Sequence, residues 1–332
     1  MSAPAPSMYS PAAKAMAERL GLKMGRANLE VFAETVLHLG QADTQVLVVT
    51  SDSRGSGKLG PFGQTLPRQI VEVGIAEQNL VGIAAGLASC GKTVFAVSPA
   101  CFLTARSFEQ IKNDVAYSDN PVVLVGISAG VSYGALGTTH HSLHDYAALR
   151  AVNNIEIIAP ADNHEAGLAV RHAASARRPV YLRFGKAPLY HLPAVAAPVT
   201  GARELRAGTD LAFLATGETV IHALLAAAEL EQAAGLSCRV VSLPSVKPLD
   251  EAAVLVAGRE CRGVITVEEH MVNGGLGEAV AALLLRHGVS PRFHLAGIPD
   301  EYTVTGSQAD IFRHYGLSME GLASVGRKLL SV

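Results

Sequence analysis

The 332-residue chain is poor in residue types that mark several protein classes. It has no tryptophan, four cysteines and 17% charged residues, whereas soluble domains usually have about 25% charged residues. Its 27 Lys+Arg residues are offset by 29 Asp+Glu residues, and no basic run provides the charge that nucleic acids or anionic membranes require. We therefore expect no nucleic-acid and no membrane partner. The low charge predicts a large subunit interface instead.

The cysteines and the N-terminal residues also bear on the cellular location that we expect for the protein. Cys90, Cys101, Cys238 and Cys261 form no C-x-x-C pair and have no zinc-site spacing. A chain of this length needs no disulfides, so we expect reduced core thiols in a cytoplasmic protein. Residues 1–11 lack the basic and apolar regions of a signal peptide and are interpreted as a frayed tail. No apolar stretch reaches the roughly 18 residues of a membrane span.

Short apolar runs alternate with helical patterns along the chain, and a proline-containing segment divides this alternation into two parts. In the first part the predicted strands are residues 46–49, 93–97, 122–125 and 155–158, with helices such as 79–88 and 164–176. In the second part the predicted strands are 211–215, 239–243 and 263–267, with helices at 219–234, 250–256 and 277–287. This alternation is typical of parallel sheets covered by helices on both faces.

The predicted fold is therefore α/β, with two doubly wound domains and mostly parallel sheets. A tail with a short helix (1–24) precedes a first domain (25–186), a linker (187–201) and a second domain (202–332). The length agrees with two domains, because domains commonly contain about 100–200 residues.

Glu77 is the first candidate functional residue. An apolar strand ends at Gly74 and a helix begins near Glu77, and loops after parallel strands are where α/β proteins bind their ligands. An isolated glutamate in a first helical turn ordinarily only complements the helix dipole. The preceding Ile75 and the small-residue helix that follows favour a functional role instead.

A histidine cluster is the second candidate. His140, His141 and His144 precede Asp145, and His140 and His144 have the i, i+4 spacing of a zinc site if the segment is helical. The glycine and threonines at 137–139 argue against a helix, so we expect no metal site. Structural histidines remain an alternative. Substrate handling is the favoured interpretation, because imidazole titrates near neutral pH.

Four motifs occur together in one order: residues 73–79 with the helix after them, 102–106 followed by 110–111, 137–145, and 160–162. In this order they resemble the pyrimidine-binding domain of the thiamine-diphosphate enzymes of the transketolase and 1-deoxyxylulose-5-phosphate synthase group. The resemblance covers about residues 25–185, and a weaker pattern continues through 200–332.

The resemblance implies a role for each matched residue. Glu77 would share a proton with N1' of the aminopyrimidine, and Phe102 would stack on that ring. Asp52 and Ile75 would lie beside the cofactor, although Asp52 could equally be a turn residue. His140 would assist proton movements on substrate hydroxyl and carbonyl groups.

Arg26, Ser56 and Ser128 match the substrate end of the family's site, although Arg26 could equally be a surface arginine. Ser128 stands where complete transketolases usually have a histidine, and Ala159 stands where they usually have an arginine. Pro99 replaces an aromatic near Phe102. Because an arginine is a bidentate phosphate ligand, we expect a substrate that lacks the usual phosphate or binds it differently.

The chain also lacks the Gly-Asp-Gly and later Asn with which the family holds Mg²⁺ and diphosphate. It therefore resembles the C-terminal section of a split transketolase, which moves a two-carbon ketol unit from a ketose to an aldose in carbohydrate metabolism. The resemblance implies thiamine diphosphate and Mg²⁺ as cofactors, the Mg²⁺ held mainly by an N-terminal diphosphate-binding subunit. It also implies sugar substrates and a homodimer core within a heterotetramer.

The residues also leave two alternative functions open. The β subunit of a 2-oxo acid dehydrogenase has the same two-domain layout, but the Thr139–His140–His141 loop favours a sugar substrate. A non-catalytic regulatory subunit is the other alternative, and the presence of Glu77, Phe102 and His140 together argues against it.

Overall fold

The computed structural model describes residues 7–331. In the first part of the chain the strands are β1 Met24–Ala27, β2 Val46–Thr50, β3 Ile70–Glu72, β4 Thr93–Pro99, β5 Val122–Ile127, β6 Glu156–Ile158, β7 Val180–Phe184 and β8 Pro188–Tyr190. The helices are α1 Pro11–Arg19, α2 Asn28–Ala42, α3 Gly60–Thr65, α4 Glu77–Ser89, α5 Ala100–Arg106, α6 Phe108–Gln110, α7 Asp145–Arg150 and α8 Asn163–Ser175. A π-helical segment, Ile111–Tyr117, and a 3-10 turn, Gly134–Leu136, complete this part.

In the second part the strands are β9 Arg203–Arg206, β10 Leu211–Ala215, β11 Cys238–Ser242, β12 Ser245–Lys247, β13 Gly263–Met271 and β14 Arg292–Ile298. The helices are α9 Val220–Ala234, α10 Glu251–Glu260, α11 Leu276–Arg286, α12 Gln308–His314 and α13 Met319–Leu330, and a 3-10 turn spans Gly217–Thr219. Across residues 7–331, no helix combines the length and apolar character needed to cross a membrane.

A seven-stranded sheet organises the first part, in the order β12-β6-β7-β5-β4-β2-β3. All its neighbours pair in parallel except β12, which is antiparallel to β6. Successive residues of a strand point to opposite faces, and both faces here are covered: Val48 packs in one apolar cluster and Val49 in another. This explains why the strands are continuous apolar runs.

A five-stranded sheet organises the second part, in the order β14-β13-β10-β11-β9. Only the edge strand β9 pairs antiparallel to its neighbour. Phe213 and Leu214 belong to different apolar clusters, so this sheet is also covered on both faces. The predicted α/β class with mostly parallel sheets is confirmed.

Four features differ from the sequence-based expectations. Strand β12 comes from the second part of the chain but completes the first sheet, and β8 lies inside the predicted linker and pairs with β1. In the predicted tail, Tyr9 is buried, with its ring 4.8 Å from the Tyr190 ring and 5.3 Å from the His222 ring. Residues 1–6 of that tail lie outside the described residues. Cys90 is exposed rather than in the core.

A buried ion pair joins the two parts of the chain. Arg203, on β9, lies 2.6 Å from the carboxylate of Glu165 and 3.7 Å from that of Asp162, both near the start of α8. The Ser242 hydroxyl also donates to Glu165, at 3.0 Å. Burial raises the pKa of Glu165, and the Arg203 guanidinium opposes that rise. The arginine therefore offsets part of the cost of burying this carboxyl.

Replacing Arg203 with methionine should lower the free energy of unfolding by about 3–5 kcal/mol, because Glu165 would remain buried without its cation. The loss should be smaller near pH 5, where Glu165 can take up a proton, than at pH 8. Denaturant-induced unfolding measures both. The matched control is Arg313→Met, which removes an exposed pair with Asp310 and should cost about 0–1 kcal/mol. Equal effects of the two substitutions would contradict this role.

Candidate active site

The carboxyl ends of the parallel strands of the first sheet collect most of the candidate residues. Gly74, with φ of +71°, turns the chain after β3, so that Glu77 begins α4. Phe102 follows β4 on α5. Asp52 and Ser128 follow β2 and β5, both in the left-handed region with φ of 50° and 53°. Because these strands are parallel neighbours, the residues that follow them lie along one edge of the sheet.

A single arginine contacts both residues expected to meet the cofactor ring. Arg106 Nη1 donates to Glu77 Oε2 at 3.0 Å, and the Glu77 side chain is 3% exposed. The guanidinium carbon lies 4.3 Å from the centre of the Phe102 ring. Sequence reasoning assigned Arg106 no role, although its i+4 spacing from Phe102 on α5 places the two on one helix face.

A cavity of about 530 Å³ opens over Glu77. It is lined by Ile75, Ala76, Glu77, Gln78, Asn79 and Arg106. Ile75 is 74% exposed at its rim. A buried carboxylate beside apolar surface fits a flat heteroaromatic ring with one proton-accepting nitrogen. These residues are therefore suited to the aminopyrimidine of thiamine diphosphate.

His140 lies beside this cofactor surface. Its ring centre is 5.2 Å from that of Phe102 and 5.3 Å from that of Tyr133, edge to face in both cases. The His140 Nδ1 and Thr139 Oγ1 atoms are 2.9 Å apart. The turn after Gly137, whose φ is +69°, rather than a helix, presents this imidazole. The structure therefore brings Phe102 and His140 together, with Glu77 joined to Phe102 through Arg106.

The neighbouring histidines point to other partners. His141 is buried, with Nε2 2.9 Å from the Gly134 carbonyl oxygen, and burial lowers its pKa. His144 Nε2 lies 3.4 Å from Thr104 Oγ1. Within residues 7–331 no three histidine, cysteine or acidic side chains are placed to hold a metal ion.

Beyond His140, the site continues to a pair of lysines. Lys186 Nζ lies 3.8 Å from the centre of the Tyr133 ring. Burial and the positive charge of Lys58 lower the pKa of Lys186. In the part of the chain that the structure describes, neither lysine has a carboxylate within 4 Å. Lys58 and Lys186 therefore leave this end of the site positively charged.

Ser56 and Ser128 lie at this same end, beside the phenol of Tyr133. Burial raises the pKa of that phenol, and the two serine hydroxyls oppose the rise. Ser56 Oγ also donates to the Ser53 carbonyl oxygen at 3.1 Å. Sequence reasoning missed Tyr133 and Lys186. For Lys186 the available signal was its position immediately after β7.

Two predicted site residues have other contacts. Arg26 pairs with Glu34, and its backbone N–H donates to Asn163 at 2.8 Å, so the structure does not bring it to the lysines. The side chain of Asp52 is exposed, and its backbone N–H donates to Glu72 at 2.7 Å.

Ala159 does not face the candidate active site, contrary to the expectation from the family, which usually has an arginine at this position. Ala159 is buried in an apolar cluster. Its carbonyl oxygen accepts from Gly217 N–H at 3.2 Å, and a Cβ on Gly217 would lie 3.5 Å from the Ala159 methyl. An arginine at 159 would therefore meet the second part of the chain, because the packing of these two parts fills its space.

Comparisons with known proteins agree with this geometry. The family described as "Transketolase, pyrimidine binding domain" matches residues 25–190, and "Transketolase, C-terminal domain" matches 201–322. The chain is 46% identical over 294 residues to a subunit of the apulose-4-phosphate transketolase of Phocaeicola vulgatus, covering 88% of this chain and 93% of that protein. It is 34% identical over 296 residues to "Putative transketolase C-terminal section" of Methanocaldococcus jannaschii, covering 88% and 92%.

A similar solved structure is described as "Split gene transketolase, inactive beta4 tetramer". Its TM-score is 0.80 at 32% identity, and the match covers 92% of this chain and 99% of that one. The family is thiamine-diphosphate-dependent, which fits the buried glutamate and aromatic ring over the cavity. The chain belongs to the transketolase family, as the C-terminal section of a split transketolase that acts as a transferase in a two-subunit enzyme.

Proposed function

We propose that this chain supplies the aminopyrimidine and substrate surfaces of the transketolase site and that it acts on a phosphorylated ketose. The observation that carries this proposal is the row of contacts from Glu77 through Arg106 to Phe102, His140, Tyr133 and Lys186. One end of the row suits a heteroaromatic cofactor ring. The other end is positively charged.

At the cofactor end, thiamine diphosphate supplies the carbanion-stabilising thiazolium when it is bound. Glu77 would bind the aminopyrimidine at N1' and would hold or move a proton there. Arg106 orients the Glu77 carboxylate through its 3.0 Å hydrogen bond. Phe102 and Ile75 provide apolar surface that excludes water. Asp52 lies on the same sheet edge, facing a subunit interface.

His140 accepts and returns protons on the substrate's hydroxyl and carbonyl groups. Neutral imidazole carries one donor and one acceptor nitrogen, and the neighbouring rings of Phe102 and Tyr133 limit its rotation. Its contact with Phe102 supports a position of His140 close to the aminopyrimidine. It can therefore reach atoms of a substrate held next to the cofactor.

Lys186 and Lys58 supply the charge that binds the substrate phosphate. They replace the histidine and arginine that complete transketolases usually have at positions 128 and 159. Ser128 is fully buried, and Ser56 donates to the Ser53 carbonyl oxygen, so the lysines carry this contact. The phosphorylated sugar in the name of the Phocaeicola vulgatus relative supports this substrate class. Arg26 lies outside this group and acts at most at the entrance of the site.

The Mg²⁺ and the diphosphate are held by a second subunit. This chain lacks the Gly-Asp-Gly segment, and the similar split transketolase structure carries the description inactive as a tetramer of its β chains. We propose that two copies of this chain and two of the diphosphate-binding subunit form a heterotetramer, because closed two-fold symmetry is the commonest arrangement. The exposed side chains of Ile75 and Leu136 would then be covered.

The chain alone should not bind thiamine diphosphate and Mg²⁺ tightly, because the diphosphate and metal ligands come from the partner. Titration calorimetry should give heat of binding only after the partner subunit is added. Tight binding by the isolated chain would refute the shared site.

Glu77→Gln should slow deprotonation at C2 of the bound cofactor by about 10²–10⁴-fold, the usual contribution of a positioned acid or base. Hydrogen–deuterium exchange at C2 in the reconstituted enzyme measures this step directly. Glu109→Gln, which changes an exposed carboxylate on α6, is the matched control and should leave the rate unchanged. An unaltered rate in folded Glu77→Gln enzyme would exclude the assignment.

Lys186→Met should raise the KM for a phosphorylated ketose donor by about 10–100-fold, since a hydrogen bond to a charged group contributes about 1.5–3 kcal/mol. An unphosphorylated ketose should be affected little. Steady-state kinetics with donor pairs that differ only in the phosphate distinguish these effects. Lys328→Met, on the exposed side of α13, serves as control. Equal losses with both donors would mean that Lys186 does not bind phosphate.

A further inference from the structure

Two carboxyl groups of the second part of the chain lie behind the loops that carry Tyr133 and Lys186. Glu218 and Glu269 are 5% and 2% exposed. Glu218 Oε1 accepts from the backbone N–H of Gly185 at 3.0 Å. Glu269 Oε1 accepts from the backbone N–H of Val131 at 2.9 Å and from the Gln308 amide at 2.8 Å. Each carboxyl therefore binds the backbone of one active-site loop.

The backbone approaches these carboxyls as closely as glycine permits. A Cβ on Gly185 would lie 2.3 Å from the Glu218 carboxylate oxygens. A Cβ on Gly130, whose φ is +60°, would lie 2.1 Å from the carboxylate carbon of Glu269. Small displacements of either carboxyl must therefore move Gly130 or Gly185, and with them the adjoining active-site residues.

The side chains around Glu218 and Glu269 include more acidic than basic groups. The titratable and charged groups facing Glu218 and Glu269 are Arg183, Asp145, Glu268, His270, Tyr146, Tyr181 and Tyr9. Arg183 is the buried cation among them, and it lies closer to Asp145, at 2.8 Å, than to Glu269, at 3.7 Å. One guanidinium therefore faces four carboxyls.

The other neighbours do not supply the missing positive charge. Burial lowers the pKa of His270 to about 4, so this imidazole is neutral at pH 7. Burial raises the pKa of Tyr146 and Tyr181 above the ordinary value, so they stay neutral. Glu268 accepts from the N–H groups of Leu276 and Gly277 at the start of α11, and burial raises its pKa to about 7.

The surroundings of Glu218 indicate that its carboxyl group retains a proton. Its Oε2 atom is buried without a hydrogen-bond partner in residues 7–331. Burial and the neighbouring charge of Glu269 raise the pKa of Glu218 to about 8, and burial also raises that of Glu269. A charged carboxylate oxygen that is buried without a partner is costly, so this environment favours the protonated, neutral carboxyl.

We propose that Glu218 retains a proton in the interior and that Glu218 and Glu269 act as a positioning pair, which holds the loops of Tyr133 and Lys186 in place until alkaline solution removes the proton. Two charged carboxylates would then repel each other in the interior, and the backbone at Gly130 and Gly185 would shift. The effect on catalysis rests on the proposed function, but the proton itself does not.

The first test uses the isolated chain and needs no activity. A carboxyl with a raised folded-state pKa stabilises the fold fully below its unfolded-state value of about 4.5, and this contribution is lost as pH rises through its folded-state value of about 8. The melting temperature of the wild type should therefore fall between pH 5 and 8 by several degrees more than that of Glu218→Gln. The control Glu18→Gln, at an exposed position on α1, should follow the wild type. Parallel curves for wild type and Glu218→Gln would overturn the proposal.

If Glu218→Gln does not fold, Glu269→Gln tests the same pair and should flatten the curve in the same way. Infrared spectroscopy of the wild type provides a further measurement. The carbonyl stretch of a protonated carboxylic acid should persist at pH 7 and disappear as pH rises through about 8. Glu268 contributes its own change near pH 7 in every variant, so the deciding signal is the wild-type minus Glu218→Gln difference. Absence of that difference would also overturn the proposal.

The second test uses the reconstituted enzyme. The KM for a phosphorylated ketose should rise roughly 10-fold between pH 7 and 9 in the wild type, since small misplacements of binding groups are costly. Glu218→Gln should not show this rise, and kcat should change less than KM. An unchanged alkaline rise in the variant would contradict positioning by the pair. An inactive complex whose melting curves still differ would refute the proposed function and leave the retained proton of Glu218 supported.

Discussion

The organisation of this protein depends on which basic side chains and hydrogen-bond donors contact its buried carboxylates. A carboxylate in the interior costs several kcal/mol unless a cation or several hydrogen bonds compensate it. Arg203 compensates Glu165, Arg183 compensates Asp145, and Arg106 compensates Glu77. The first two pairs lie where the two parts of the chain meet, and the third lies at the open edge. The same requirement therefore controls both the contact between the parts and the cofactor surface.

This placement connects the second part of the chain to the chemistry of the first. Strand β12 extends the first sheet, and Glu218 and Glu269 bind the backbone of the loops at the carboxyl ends of β5 and β7. A terminal domain that only covered the first sheet would need apolar contacts alone. The carboxyls reach the active-site loops instead, so the geometry of those loops depends on the protonation state of the interior.

Sequence reasoning predicted β2 to β6, β10, β11 and β13 because their signals are local, whereas it did not name β1, β7, β9 and β14. Fully buried parallel strands are apolar runs, and covering helices have a different periodicity. It missed β12 and β8 for a physical reason. Each has three residues, and β12 lies between Pro244 and Pro248, which usually mark turns. Such short strands form because a partner edge is available. That availability is a property of the assembled fold.

The same distinction applies to the site. The positions of Glu77, Phe102 and His140 next to strand ends and glycine turns follow from the order of residues, because loops after parallel strands converge on one edge. Three other features depend on three-dimensional packing and could not be predicted from residue order. They are the contact of Arg106 with Glu77, the position of Lys186 over Tyr133, and the burial of Ala159, whose partners are distant in sequence or on other elements. The sequence by itself therefore determined the fold class and the family, and it predicted Glu77, Phe102 and His140 as site residues. The tertiary structure decided which charges compensate each other and which do not, because Coulomb interactions and desolvation depend on distance and burial rather than on sequence order.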